Sequence, residues 1–314
     1  MDKNSLKIGN FKKKLDKESF HVFLISNPIF EVISYLWINE LNIPEEKIIL
    51  ISLRSNFAGL FKIKYKYFQK TFFDRFCNKI KIDRYSKKII NWVENKSNNY
   101  YVYCARLHSE SEKLINQRNC SGHFYIEEGQ ISYSNKKIFD NLSEKHYLKK
   151  KLNKSNYAAD KEYQFRNDAL LFIGLDKKVF PQAESEKKVV LSDLNLLKKI
   201  YNPFLIGQKN IGLIPAPRRL IKVDLDKFLE KFLNIIPDNS YIKFHPGYQY
   251  SDSELRKIEY KINSLTKKSF KVCSNKVILE IEMIFEKKIL YGSQSSIETY
   301  ADLFGSEYKS IKIY

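Results

Sequence analysis

The sequence is poor in the residues that cross-link or interrupt a chain. It contains four cysteines, ten glycines and eight prolines in 314 residues. The cysteines are widely separated, with no CxxC pair and no histidine at zinc-ligand spacing, so they indicate neither a disulfide framework nor a structural metal site. The few glycines and prolines, together with abundant Ile, Phe and Tyr, oppose disorder, because such a chain buries enough apolar surface to offset the entropy of ordering it.

Long apolar runs are also missing. No stretch reaches the roughly 18 uncharged apolar residues of a spanning helix, and the polar, lysine-rich residues 1–18 do not read as a signal peptide. We therefore expect a protein of the cytoplasm that has no membrane-spanning helix.

Acidic residues are outnumbered, at 36 against 55 lysines and arginines, which gives a formal net charge of +19. This excess predicts an anionic partner but does not choose among nucleic acid, a membrane surface and a phosphorylated substrate. Residues 61–79 interleave cations with aromatic side chains, a composition suited to an anionic membrane, to single-stranded nucleic acid, or to ordinary amphipathic packing. Because no recognised RNA- or DNA-binding motif accompanies it, we expect peripheral contact with the cytoplasmic membrane and no nucleic acid partner.

Short apolar runs that alternate with helical patterns predict an α/β protein. A charged, turn-rich passage at 176–188 separates two sets of runs, and the length suits two domains, which we place at residues 1–190 and 191–314. Two doubly wound halves are the simplest account. The expected strands are 21–26, 47–53, 100–105, 123–126, 170–174, 204–208, 241–245, 287–291 and 308–314, and the expected helices are 29–40, 224–236, 252–265 and 297–303.

An acidic pair, Glu127 and Glu128, follows the apolar run 123–126 and is itself followed by Gly129, which permits a sharp turn. Ligands of α/β sheets bind at this end of the strands. Adjacent side chains on a strand point to opposite sides, so we expect only one of the two carboxylates to face a cleft. A glutamate in such a cleft can accept a hydroxyl proton, whereas a solvated turn would explain the same residues without any chemistry.

Two further motifs stand at strand ends in the second half. His245 and Pro246 follow the run 241–245, where a histidine can donate a hydrogen bond or a proton to a leaving phosphate, or simply be structural. Ser295 and Ser296 open a helix whose free N–H groups suit an anion, although Ser295 with Glu298 also satisfies the pattern of a capping box.

The ordered set of motifs resembles the bacterial sialyltransferases of the GT-B type. That family carries a D/E-D/E-G motif in its N-terminal domain, an HP motif in its C-terminal domain and a serine pair downstream, and all three occur here in that order. The segment Ile25, Ser26, Asn27, Pro28 is similar to a first-strand ending in these enzymes. The resemblance implies the GT-B fold, in which two Rossmann-like domains face each other across a cleft.

The resemblance also implies an activity and roles for individual residues. It implies an inverting sialyltransferase that uses CMP-sialic acid as donor, with no metal or other cofactor, and an acceptor on the N-terminal domain. Glu127 would be the base, supported by Glu128 and Gly129, and His245 would protonate or electrostatically stabilise the departing phosphate. The implied donor-binding residues are Ser295, Ser296, Pro246, Gly292, Asn27 and Glu280, with Glu282 an alternative to Glu280 as the ribose contact.

The acceptor implied by charge and family together is a bacterial surface glycan, of capsule or lipooligosaccharide, that is built on a lipid at the inner face of the membrane. Two other readings stay open at this point. One is a GT-B transferase that uses a different nucleotide sugar, and the other is a non-catalytic basic module that binds membrane or nucleic acid.

Three other features carry weaker hypotheses. Asp224 and Asp226 spell a DxD but stand at the predicted start of a helix, where aspartates favour the positive end of the dipole. Arg218 and Arg219 could meet an oxyanion, although a solvated basic loop is the simpler interpretation. Among the remaining histidines, His108 is the one we expect near an acceptor.

Overall fold

The computed structural model divides into two compact units, Met1–Leu197 and Lys198–Tyr314. The division falls after Leu197 and not after 190, because the strand Lys188–Val190 belongs to the first unit and the Leu191 amide continues its pairing by donating to the Gly174 carbonyl at 2.8 Å. The described residues are 3–52, 66–68, 84–133, 137–139, 163–191, 194–217, 220, 225–248, 250–293, 295 and 297–311.

The first unit alternates strands with helices. Its helices are α1 (Lys3–Lys12), α2 (Pro28–Leu41), α3 (Arg84–Glu94) and α4 (Ser109–Ile115), and α5 (Leu197–Ile200) lies at the junction. Its strands are β1 (Phe20–Ile25), β2 (Ile48–Ser52), β3 (Lys66–Tyr67), β4 (Tyr100–Cys104), β5 (Cys120–Ile126), β6 (Lys137–Phe139), β7 (Tyr163–Arg166), β8 (Leu171–Gly174) and β9 (Lys188–Val190).

The main sheet of the first unit is parallel, with described strands in the order β3-β2-β1-β4-β5-β8-β9. The order reverses between β1 and β4, because the chain builds outward from β1 on one side and later returns to its other side. Phe23, Tyr103 and Phe124 are in register on β1, β4 and β5 and stack at 4.2 and 4.3 Å between ring centroids. These fully buried rings hold the central strands together on one face.

The second unit repeats the pattern on a smaller scale. Its strands are β10 (Asn210–Ile214), β11 (Ser240–Phe244), β12 (Phe270–Val272), β13 (Ile289–Gly292) and β14 (Glu307–Ser310). Its helices are α6 (Leu225–Ile235), α7 (Asp252–Ser264), α8 (Leu279–Phe285) and α9 (Ile297–Leu303).

The second sheet is also parallel, in the order β12-β11-β10-β13-β14, and its order reverses between β10 and β13. Phe228 and Phe232, one turn apart on α6, stack at 5.6 Å and pack into a core with Ile242 and Phe270. The fold class is therefore the one that the sequence predicts, α/β with two parallel, doubly wound sheets in separate units.

One predicted strand is wrong. Residues 204–208 form a loop, because the amides of Phe204, Leu205 and Gly207 donate to the carboxylates of Glu282 and Glu286 and not to a neighbouring strand. The strand begins instead at Asn210. The short strands β9 and β12, with three residues each, lacked a recognisable pattern in the sequence.

No described helix has the length and apolarity needed to cross a membrane. Among the described residues, Cys104, Cys120 and Cys273 are free thiols. Of the aromatic and basic segment 61–79, residues 66–68 are described and the rest, with Arg218, Arg219 and Asp224, lie outside the described residues. Asp226 lies in the first turn of α6, as the helix-start interpretation of the DxD predicts. Its side chain also pairs with Lys261 at 2.6 Å.

Candidate functional site

The carboxyl ends of β1, β4 and β5 bring together Ser26, Arg106 and Glu128. Ser26 Oγ donates to Glu128 Oε2 at 3.1 Å, and Arg106 Nε lies 3.3 Å from Glu128 Oε1. The Glu128 side chain is 9% exposed and that of Arg106 is 30% exposed. This cluster stands where the strand order reverses, which is the position at which open parallel sheets bind ligands.

Glu127 turns the other way, into the protein. Its side chain is fully buried, Oε1 accepts a hydrogen bond from Tyr133 Oη at 2.7 Å, and Oε2 accepts one from the Leu175 amide at 2.8 Å. Burial, followed by the neighbouring carboxylate, raises the pKa of Tyr133, so its hydroxyl keeps the proton that it donates. Gly174 leaves room for this arrangement, since a Cβ at that position would lie 2.7 Å from Glu127 Oε2.

The turn after the acidic pair is built as the sequence predicts. Gly129 has φ of 116°, a conformation that favours glycine, and its carbonyl accepts from the Ser132 amide at 2.9 Å. Ser132 Oγ in turn accepts from the Glu128 amide at 3.0 Å. The backbone on both sides of Glu128 is thereby fixed.

Asn27 is the N-cap of α2 and belongs to this first unit. Its Oδ1 accepts from the Phe30 amide at 2.9 Å, and its Nδ2 donates to the Glu128 carbonyl at 2.9 Å. The side-chain amide thus caps α2 with one end and holds the backbone after β5 with the other. The interactions at this position account for the asparagine through helix capping and strand anchoring.

His108 lies close to the cluster, because Arg106 Nε also donates to His108 Nε2 at 3.3 Å. The sequence did not single out Arg106, and it named Ser26 only as part of the segment 25–28. The available signal was positional: each stands just after a buried strand, Ser26 after β1 and Arg106 after β4.

In the second unit, His245 follows β11 and is exposed. Its Nδ1 accepts a hydrogen bond from the Gly247 amide at 2.9 Å, and its own amide donates to the Ile214 carbonyl at 3.2 Å. A neutral imidazole whose Nδ1 accepts a hydrogen bond carries its proton on Nε2. His245 therefore offers Nε2–H as a donor at the carboxyl edge of the second sheet, with Pro246 opening the 3₁₀ turn Pro246–Tyr248.

The serine motif follows β13, on the other side of the point where this sheet reverses its order. Ser295 is partly buried, its carbonyl accepts from the Glu298 amide at 3.2 Å, and Ser296 lies outside the described residues. Gly292 ends β13, where an added Cβ would lie 3.0 Å from the Leu213 Cβ and 3.1 Å from the Tyr308 hydroxyl. Close packing between strands explains this glycine.

Glu280 and Glu282 separate in the same way as the acidic pair of the first unit. Glu282 is fully buried and accepts three hydrogen bonds, from Tyr201 Oη at 2.7 Å, from the Phe204 amide at 2.9 Å and from the Leu205 amide at 3.0 Å. Glu280 is partly buried; desolvation raises its pKa, against a smaller opposing effect of the Lys243 ammonium. Of the two residues, Glu280 is the one that is not fully buried.

Lys243 is a further residue that the sequence did not single out. It lies on β11 two positions before His245, is 8% exposed, and donates from Nζ to the Ser274 carbonyl at 2.8 Å. Burial lowers its pKa, and Cys273 and Glu280 oppose that effect. A lysine inside an apolar strand was the available signal.

The predicted residues thus form two groups, one at the carboxyl edge of each sheet. Glu128, Asn27 and Gly129 belong to the first group, His245, Pro246, Gly292 and Ser295 to the second, and Glu127 lies buried beneath the first. Among the described residues, no three His, Cys, Asp or Glu side chains are grouped so that they could hold a metal ion.

The chain matches no protein-family model and no curated protein sequence. It is similar to the solved structure of UDP-N-acetylglucosamine 2-epimerase from Rickettsia bellii, with 14% identity over 94% of this chain and 80% of that chain and a TM-score of 0.48. It is similar to the 2,6-sialyltransferase of Photobacterium sp. JT-ISH-224, solved with CMP and lactose, with 13% identity, 89% and 68% coverage and a TM-score of 0.49. It is also similar to the structure of the wall teichoic acid polymerase TagF, with 11% identity over 98% of this chain and 74% of that chain and a TM-score of 0.44. Similarity at this level assigns neither an activity nor a residue role to this chain.

Proposed function

We propose that the protein is a GT-B glycosyltransferase that moves sialic acid from CMP-sialic acid to a hydroxyl of a bacterial surface glycan, with inversion and without a metal. The observation that carries this proposal is the position of the motif residues, which stand at the carboxyl edges of two doubly wound parallel sheets. Ligands of such sheets bind at that edge. The resemblance of the motifs is the basis for choosing CMP-sialic acid as donor and an inverting transfer as reaction. Their position supports an acceptor on the first unit and a donor on the second.

In this proposal Glu128, and not Glu127, accepts the proton of the acceptor hydroxyl. Both oxygens of Glu127 accept hydrogen bonds inside the protein, whereas the Glu128 side chain lies at the sheet edge beside Arg106 and Ser26 and keeps 9% of its surface exposed. A general base must come within about 2.6–3.2 Å of the proton-bearing oxygen, which a fully buried carboxylate does not reach. As the proton moves to Glu128, the oxygen attacks the anomeric carbon and the bond to the CMP phosphate breaks.

His245 stabilises the departing phosphate by a hydrogen bond from Nε2. The bond that its Nδ1 accepts from the Gly247 amide fixes this tautomer, so the imidazole meets the phosphate as a donor. Such a donor acts on the charge that develops at the phosphate as the glycosidic bond breaks.

Ser295 and Ser296 bind phosphate oxygens, and Glu280 binds the ribose. Glu282 is not the ribose contact in this proposal, because its carboxylate already accepts hydrogen bonds from three donors within the protein. Pro246 and Gly292 shape the donor site through the backbone, the first by opening the turn after His245 and the second by allowing close packing of β13.

The acceptor in this proposal is a capsule or lipooligosaccharide glycan, carried on lipid at the cytoplasmic face of the membrane. The net charge of +19 supports an enzyme that works beside anionic lipid. The cytoplasmic location follows from the same proposal, since CMP-sugars and unfinished lipid-linked glycans meet on that face.

Calorimetric titration with CMP and with UDP tests the donor site. We expect CMP to bind more tightly than UDP in the presence of EDTA, and CMP affinity to fall by about tenfold or more in Glu280→Gln, since a hydrogen bond to a charged group contributes about 1.5–3 kcal/mol. A preference for UDP would overturn the sialyltransferase assignment while keeping a nucleotide-sugar enzyme. Absence of binding to either nucleotide would overturn the donor site itself.

A further inference from the structure

Four large apolar side chains are strongly exposed among the described residues: Phe204 at 52%, Ile206 at 57%, Ile235 at 52% and Tyr260 at 81%. Single exposed apolar residues are normal on protein surfaces. Phe204 and Ile206, however, lie in the loop that leads into β10, and Ile235 ends α6, the helix that leads into β11. These two strands are parallel neighbours, so the three side chains share the amino edge of the second sheet, opposite His245 and Ser295.

The backbone of the 202–208 loop, which carries Phe204 and Ile206, is held by hydrogen bonds to buried and partly buried side chains. Its Phe204 and Leu205 amides donate to Glu282, and the Gly207 amide donates to Glu286 Oε2 at 2.9 Å. Lys288 Nζ donates to the Leu205 carbonyl. Leu205 itself is 1% exposed, so the loop buries its central side chain and directs the two flanking ones outward.

The buried carboxylate of Glu282 accepts three hydrogen bonds, two of them from the backbone of this surface loop. Because the backbone is held on several sides, the exposure of Phe204 and Ile206 is a fixed property of the fold. Ile235 is presented in the same way, since α6 ends there and the next residue, Ile236, is fully buried. The end of α6 is held by Lys268 Nζ, which donates to the carbonyls of Leu233, Asn234 and Ile236.

Lysines surround this apolar patch. Lys209 precedes β10, Lys267 precedes β12 and Lys287 precedes β13, and all three are exposed at the same edge. Three acidic side chains also lie beside these strand starts; they are exposed or partly exposed, and each has a partner in its own unit. Asp238 accepts from the Asn239 and Ser269 amides, Glu286 pairs with Lys288, and Glu307 lies 3.5 Å from Lys309.

We propose that the 202–208 loop, together with Ile235, inserts into the surface of an anionic lipid bilayer. Aromatic and aliphatic side chains that enter the headgroup region gain by burial, and lysines beside them gain by attraction to anionic lipid. The lysine rim favours this occupant over an apolar protein partner. The insertion lies at the edge opposite the donor site of the same unit, so it leaves His245 and Ser295 accessible.

Flotation with lipid vesicles tests the proposal on the full chain. We expect the protein to float with phosphatidylcholine vesicles that contain about a third phosphatidylglycerol, and less with pure phosphatidylcholine or at high salt. The double variant Phe204→Ser, Ile206→Ser should bind at least about tenfold more weakly, because two apolar insertions are lost. Tyr260→Ser removes an even more exposed aromatic side chain from α7 and should bind as the wild type does.

Three further readouts keep the outcomes distinct. Thermal unfolding of each variant shows that the substitutions leave the fold intact, and CMP titration in the double variant should match the wild type. Wild type that does not float, or a folded double variant that floats equally well, would overturn the proposal. Sedimentation showing a dimer that the double variant abolishes, without vesicle binding, would instead assign the surface to a second copy. A wild type that does not bind CMP would refute the proposed function, and the vesicle result would be unaffected.

Discussion

Neighbouring acids on a strand end take opposite roles because successive side chains leave a strand on opposite sides. Glu127 and Glu128 follow this rule at the end of β5, one buried under Gly174 and the other at the sheet edge beside Arg106. The sequence predicted that only one acid would face a cleft. Which one it would be depends on the packing of Tyr133 and Leu175, which lie outside the motif.

The two acids are predicted to fail differently when changed to the isosteric amide. Glu127→Gln should lower the free energy of unfolding by about 1–3 kcal/mol, because one of two buried donors then faces an NH₂ group. Glu128→Gln removes the charge that pairs with Arg106, so it should lower stability less than Glu127→Gln does, and it should lower transfer activity by about 10²-fold or more. Urea unfolding followed by fluorescence checks stability, since Trp37 and Trp92 both lie in the first unit. A stable but inactive Glu127→Gln, with an active Glu128→Gln, would return the role of base to Glu127.

His21 predicts a pH dependence of stability. Burial lowers its pKa from 6.5 to about 4, while Nδ1 lies 2.8 Å from Tyr103 Oη. Between these values the unfolded chain binds a proton that the folded chain does not, so stability is lost as the pH falls from 6.5 toward 4. Between pH of about 6.5 and about 5, the unfolding free energy of the wild-type first unit should fall as the pH falls. In His21→Gln this fall should be smaller, by about 1 kcal/mol per pH unit. An unchanged slope in the variant would contradict this origin.

At the scale of elements, buried carboxylates hold loops that the local sequence does not specify. Residues 204–208 are apolar and were predicted to form a strand, but Glu282, on α8, binds two of their amides. No local pattern reveals a partner almost 80 positions away (204 against 282). The strand ends that carry motifs were predictable because buried apolar runs and the turns after them are local. The joining of Ser26, Arg106 and Glu128 was not, because parallel register across β1, β4 and β5 creates it.

The substitutions Glu282→Gln and Glu280→Gln test whether the Glu282 carboxylate stabilises the loop. Glu282→Gln should destabilise the second unit by about 2–4 kcal/mol, since up to three buried hydrogen bonds depend on the carboxylate. Glu280→Gln, two positions away on the same helix, should change stability little. Circular dichroism during thermal unfolding measures both. Equal stability of the two variants would contradict the bracing role of Glu282.

At the scale of the whole molecule, the two units share one design. Each is a parallel sheet whose order reverses near its centre, and each places candidate chemical groups at the carboxyl edge of the strands. The cation excess, the motif order and the fold class were all visible in the sequence. The surface at the amino edge of the second sheet was not, because it joins residues from separate loops that only parallel pairing aligns.

The proposed function assigns the acceptor to the first unit, with Glu128 as base, and the donor to the second, with His245 at the departing phosphate. Release of CMP from CMP-sialic acid by purified protein, with EDTA present and with and without an added oligosaccharide acceptor, tests this assignment. We predict release that the acceptor stimulates in the wild type, and a fall of about 10²-fold or more in Glu128→Gln and in His245→Ala. Absence of release from a wild type that binds CMP, or full activity in both variants, would refute the proposed function.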